Sequence, residues 1–66
     1  MKRKIVGMKK ESVDSFIKGL KELGIKVCGE PFETDGIWQV VYLPIGKAQE
    51  EKCKQYIEYL CINGLL

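Results

Sequence analysis

Gly36-Ile37-Trp38-Gln39-Val40-Val41-Tyr42-Leu43 is the densest run of β-branched and aromatic residues in the chain, and side chains of that kind fit a pleated sheet. Asp35-Gly36 stands at its start and is the commonest two-residue hairpin turn, because both central positions of that turn need φ > 0. Apolar residues lie on both sides of the alternation. The stretch therefore predicts a central strand, covered on one face and with some task on the other. Pro44 ends it.

Upstream, residues 25–33 read as the second strand, with Gly29 and Pro31 inside it. Proline cannot donate to a ladder, so this strand lies at an edge or is bulged near Pro31. Residues 3–8, Arg3-Lys4-Ile5-Val6-Gly7-Met8, read as a short first strand at a sheet edge. Between them Val13, Phe16, Ile17, Leu20 and Leu23 fall at the spacing that lines one helix face. Ser12 suits the N-cap. Asp14 is expected in the first turn and Lys21 in the last, as the helix dipole prefers. Gly24 suits the left-handed C′ position, with Ile25 packing back. Gly19 lies off the apolar stripe, costs about 1 kcal/mol against alanine, and has no explanation in the sequence.

Downstream, a second helix is expected from Gly46 or Lys47 to about Ile62, with Cys53, Tyr56, Ile57 and Leu60 as its buried stripe. Glu50 and Glu51 fall near its N-terminus, where acids are favoured. Asn63-Gly64 suits its C-cap, with Leu65-Leu66 folding back. The order β-α-β-β-α predicts an α+β fold: a three-stranded antiparallel sheet ordered 1-3-2, with both helices on one face. This is the split βαβ arrangement, ferredoxin-like without its fourth strand. An even-length loop at Asp35-Gly36 gathers Ile25, Val27, Trp38, Val40 and Tyr42 on one face, uniformly apolar or aromatic, where the helices belong. Lys26, Cys28, Glu30, Phe32, Ile37, Gln39, Val41 and Leu43 fall on the other, which holds more apolar surface than an exposed sheet face needs.

The 66 residues form one small domain, 1–66, of a size that gains from a staple or a partner. Disulfides do not suit an odd count of three cysteines with no apolar signal segment after Met1. A reducing, cytoplasmic setting follows. No apolar run approaches the roughly 18 residues of a membrane span. The net charge of +2 hides an asymmetry. Lys2, Arg3, Lys4, Lys9 and Lys10 give residues 1–10 a local +5, whereas the remainder carries six lysines against nine acids. A basic end on an acidic body suits nucleic acid or an acidic protein. It equally suits a solvated strand end that discourages edge pairing.

Catalytic chemistry is sparse. With no histidine, His-based catalysis and His metal ligation are excluded. The three cysteines make no C-x-x-C pair, so neither zinc nor any other metal or cofactor is expected. Cys53 and Cys61, eight apart on the helix, read as buried small hydrophobes. No phosphate-cradling glycine motif occurs. Trp38 and Tyr42 form either a stacking platform or, on the face assignment above, core.

Val6-Gly7-Met8 before a helix, Ile37-Trp38-Gln39-Val40-Val41-Tyr42-Leu43-Pro44-Ile45 as a strand, and Lys47-Ala48-Gln49-Glu50 opening a second helix together resemble the SPOR domain. That family's module is ferredoxin-like and binds denuded peptidoglycan glycans. The likeness covers most of residues 5–60 as hydrophobic pattern and spacing, with Leu43 standing where the family has glycine before the proline. It implies a glycan side on the open sheet face, with Phe32, Gln39 and Val41.

These readings give a non-enzymatic protein-interaction module working through its open sheet face (Phe32, Ile37, Gln39, Val41 and Leu43) or through its open edge. The partner is another protein or a second copy, as a homodimer through strand 1 or the open face. By analogy of size, chains like this are often encoded by phages or mobile elements to block a host protein. The alternatives are a SPOR-like glycan binder and a nucleic-acid binder using Lys2, Arg3, Lys4, Lys9 and Lys10.

Overall fold

A computed structural model describes residues 2–64. The elements are β1 (Lys4–Met8), α1 (Lys10–Glu22), β2 (Lys26–Val27), β3 (Phe32–Thr34), β4 (Ile37–Leu43) and α2 (Gly46–Ile62). The hairpin turn has the expected geometry, with φ of 53° at Asp35 and 81° at Gly36. It feeds β4, which pairs antiparallel with every other strand. On one side Lys4 to Met8 run against Tyr42 to Trp38. On the other, Lys26 faces Leu43 and Val27 faces Tyr42, while Phe32 faces Gln39 and Thr34 faces Ile37. The domain is thus α+β, with two helices and an open, antiparallel, four-stranded sheet.

The count of four corrects the expected three. The second strand, read as one piece over 25–33, is broken in two. The Cys28 amide still donates to the Val41 carbonyl at 2.8 Å, but Gly29 turns to φ +69° and Pro31 has no amide to offer. Three residues, Gly29 to Pro31, separate Cys28 from Phe32, whereas Val40 alone separates their partners Val41 and Gln39. The interruption therefore inserts two residues. Because side chains alternate with period 2, an even insertion leaves the faces unchanged. Phe32 stays on the side of Cys28, and of the residues expected on that face Glu30 falls inside the interruption.

The core lies on the expected face. Val40 is fully buried and Tyr42 nearly so, clustered with Met8 of β1, Val13, Phe16 and Leu20 of α1, Ile25, and Cys53 and Leu60 of α2. Trp38 packs against that cluster, half-buried. Both helices thus cover the Val40 face, and the stacking-platform reading of Trp38 and Tyr42 is overturned. Phe16 joins the layers. Its ring meets Tyr42 edge-on at 6.1 Å and stacks on Tyr56 of α2 at 5.7 Å, the two geometries that the ring quadrupole favours.

That stack explains Gly19. Tyr56 reaches over α1 to donate its hydroxyl to the Ser15 carbonyl at 3.3 Å. A Cβ on Gly19 would lie 1.9 Å from the Tyr56 oxygen. The glycine gives up helix propensity to let a tyrosine of α2 cross close to the backbone of α1.

The helix ends follow local chemistry with three corrections. α1 stops as expected: the Gly24 amide donates to the Lys21 carbonyl and the Ile25 amide to that of Leu20. This is the Schellman pattern with its hydrophobic contact, since Leu20 and Ile25 are both buried. Its start is earlier than expected. Lys9, not Ser12, is the N-cap, without a side-chain cap. The Ser12 amide already donates to the Lys9 carbonyl at 3.0 Å, so the backbone closes the first turn directly after β1. Glu11, rather than Asp14, is then the first-turn acid. In α2 the first turn holds no acid: the helix begins at Gly46, which puts Glu50 and Glu51 one turn further in. Gln49 holds that end instead. It accepts from the Ile45 amide at 2.8 Å and donates to the Gly24 carbonyl at 3.1 Å, tying the start of α2 to the end of α1. Asn63 caps α2, its side-chain amide donating to the Tyr59 carbonyl. The expected return of Leu65-Leu66 lies outside the described residues.

Gly19→Ala should destabilise the domain by on the order of 1–3 kcal/mol through overpacking, although alanine is the better helix former by about 1 kcal/mol. In a Tyr56→Ala background the same change should stabilise. Thermal melts of the four proteins in this cycle check the reversal of sign.

Candidate interaction surface

The sheet face turned away from the helices carries a row from each strand. Ile5 of β1 stands opposite Val41, and Gly7 opposite Gln39. Phe32 stands opposite Gln39, and Leu43 opposite Lys26. The register thus brings together all five residues expected at a partner-binding face: Phe32, Ile37, Gln39, Val41 and Leu43. Ile37 and Phe32 are 53% and 44% exposed, whereas Gln39, Val41 and Leu43 are half-buried by their neighbours. Ile37 leans over Gly7, whose hypothetical Cβ would meet its Cγ2 at 2.9 Å.

Ile5, 60% exposed, belongs to the same surface and was missed by sequence reasoning. Its alternation within Lys4-Ile5-Val6 was visible, but its face depends on the β1–β4 register, which no turn between them dictates. Along these rows the face is apolar or neutral, with Lys26 at one end. Charge depletion over exposed apolar side chains is the composition of an interface centre.

The five basic residues do not form one patch. Lys2, Arg3 and Lys4 lie at one end of β1, Lys9 and Lys10 at the other, about 17 Å apart at 3.4 Å per residue. All are exposed. Lys4 stands opposite Tyr42, hence on the helix side, at the mouth of a cleft of about 390 Å³ between β1 and α2. Tyr42, Cys53 and Ile57 line it together with Glu50, Glu51, Glu58 and Lys54 of α2.

Burial raises the Cys53 thiol above its usual range; Lys4 opposes the rise and Glu50 adds to it. Burial likewise raises the Tyr42 phenol, with Cys53 adding, and the Tyr56 phenol, with Glu22 adding. These groups are held protonated, the opposite of an activated nucleophile. Cys28 is half-buried, Cys53 buried and Cys61 exposed. The exposure of Cys61 corrects its reading as a buried hydrophobe: eight helical residues bring a side chain about 80° away from the stripe that Cys53 occupies. Among the described residues no helix is long and apolar enough to cross a membrane.

The chain matches no family model, no curated protein and no solved structure.

An aromatic disulfide reagent should modify Cys61 first, Cys28 more slowly, and Cys53 only as the domain unfolds; mass spectrometry of a time course reads the order. The raised pKa values also set the direction of a pH effect. Where the folded state holds a proton more tightly than the unfolded state, the stabilisation is complete below the unfolded pKa and is lost as pH rises through the folded one. Urea midpoints should therefore stay level with respect to these groups up to about pH 8.5 and decline above it, where unfolded thiols and then phenols ionise. A midpoint that rises between pH 9 and 11 contradicts this.

Proposed function

We propose that this chain is a non-enzymatic protein-binding module whose working surface is the open sheet face. The observation that carries this reading is the uncovered apolar row of Ile5, Phe32 and Ile37, continuous with Val41 and Leu43 on a face without central charge. A small domain has little apolar surface to spare from its core, so leaving these side chains in water has a use when a partner covers them. A second copy meets no like-charge penalty in the centre of this face, which makes a face-to-face homodimer the simplest occupant; a foreign protein, such as a host protein blocked by a small mobile-element product, is the other. In fold terms the parallel pair β1 and β2 flanking β4 is a split βαβ unit, and we read the domain as ferredoxin-like, with no strand beyond β1 among the described residues. A glycan reading draws on the SPOR resemblance and on Phe32 beside Gln39, an aromatic face next to an amide on the open side. A nucleic-acid reading loses support from the division of the basic residues between the two ends of β1.

Val40 and Val41 make the test, being adjacent, identical and on opposite faces. Val40→Glu places a carboxylate at a fully buried site, a cost of several kcal/mol, comparable to the stability of a small domain. Circular dichroism should find it unfolded. Val41→Glu should melt cooperatively, yet lose the self-association that the wild type shows in sedimentation equilibrium at high micromolar concentration. A wild type that stays monomeric in both low and high salt refutes the homodimer. Co-sedimentation with isolated peptidoglycan, abolished by Val41→Glu, would assign the face to glycans instead.

A further inference from the structure

The sheet has two edges, and they differ. The β2/β3 edge is interrupted at Gly29 to Pro31, and an interruption with proline blunts an edge against further pairing. β1 is continuous over five residues without proline, and among the described residues nothing pairs with its outer side. At its Lys4 end, on the helix side, opens the cleft lined by Lys4, Tyr42, Cys53 and Ile57. A strand laid along β1 would extend the sheet by pairing its backbone with the outer side of β1.

Charge selects the occupant. Lys2 and Arg3 precede the strand and Lys9 and Lys10 follow it, so basic side chains frame both ends of the edge. An antiparallel second copy would bring Lys2, Arg3 and Lys4 towards Lys9 and Lys10 of its partner at both ends of the pair. Like charges facing each other across strands are unfavourable and opposite charges favourable. The middle of the strand, Ile5, Val6 and Gly7, carries no charge, so apolar side chains suit the segment there, while the cleft at the Lys4 end carries both signs, Lys4 and Lys54 against Glu50, Glu51 and Glu58. We propose that the outer edge of β1 receives an extended segment of another protein, acidic at both ends and apolar between, paired along Lys4 to Met8. This site is separate from the open sheet face, and it gives the basic residues of positions 2–10 a joint role.

Two nine-residue peptides test the proposal on the full chain: Glu-Asp-Val-Thr-Val-Thr-Val-Asp-Glu, and the same core with Lys-Arg and Arg-Lys ends. Amide chemical shifts of the labelled protein are followed during titration. The acidic-ended peptide should shift the β1 amides and bind at least tenfold more tightly than the basic-ended one. The preference should narrow as salt rises, as screened charge pairs require. The variant Arg3→Glu/Lys9→Glu should reverse it; both positions are exposed, and Lys2→Glu/Lys10→Glu replaces this pair if it fails to fold. Val41→Glu should bind the acidic-ended peptide as the wild type does, which separates this site from the open face. The proposal is overturned if neither peptide moves the β1 amides at millimolar concentration, if both bind equally, or if the shifts fall on Phe32, Ile37 and Val41. It is equally overturned if the β1 amides shift with protein concentration alone, which would make a second copy the occupant.

Discussion

The contact of Tyr56 with Phe16 and with the backbone of α1 holds the layers of this domain in place. The two helices share one face of a small sheet, and side-by-side helices slide unless something indexes them. Tyr56 does this with a ring stacked on Phe16 and a hydroxyl on the Ser15 carbonyl, at a place where Gly19 lets it approach. Phe16 in turn meets Tyr42 of the central strand edge-on. One aromatic series thus runs from sheet to first helix to second helix, and the Gln49 bridge to Gly24 fixes the same pair of helices at their other junction.

With both helices committed to one side, the remaining sheet surface has nothing within the described residues to cover it. The consequences are the two surfaces developed above. The open face is apolar and free of central charge, and the β1 edge is framed by bases, with a cleft of mixed charge at its Lys4 end. Both surfaces have one origin: among the described residues the two helices enclose one core on a single side of the sheet.

Much of this was legible in the residues because it rests on local chemistry or on period 2. Asp35-Gly36 announces its turn, Gly24-Ile25 its helix stop, and Val40 and Val41 their opposite faces. Features that depend on distant partners were not legible. The reason for Gly19 lies in Tyr56, 37 positions later, and Ile5 joins the open face only through its pairing with Val41. Ser12 misled because a good capping residue does not oblige a helix to wait for it when the preceding strand already delivers the chain at Lys9. The break at Gly29 to Pro31 was half legible. Its residues signalled a defect, but the number inserted depends on where pairing with β4 resumes.

That number makes the break a natural expansion joint. Between Cys28 and Phe32 the chain can lengthen or shorten by two residues with every side chain of β3 keeping its side of the sheet, because parity is conserved. A change of one would rotate β3 by half a repeat, sending Phe32 towards the helices and Glu33 onto the open face. A sequence descended from this one should therefore vary in length here by even steps. An odd step would mark a domain whose open face had been rebuilt for a different use.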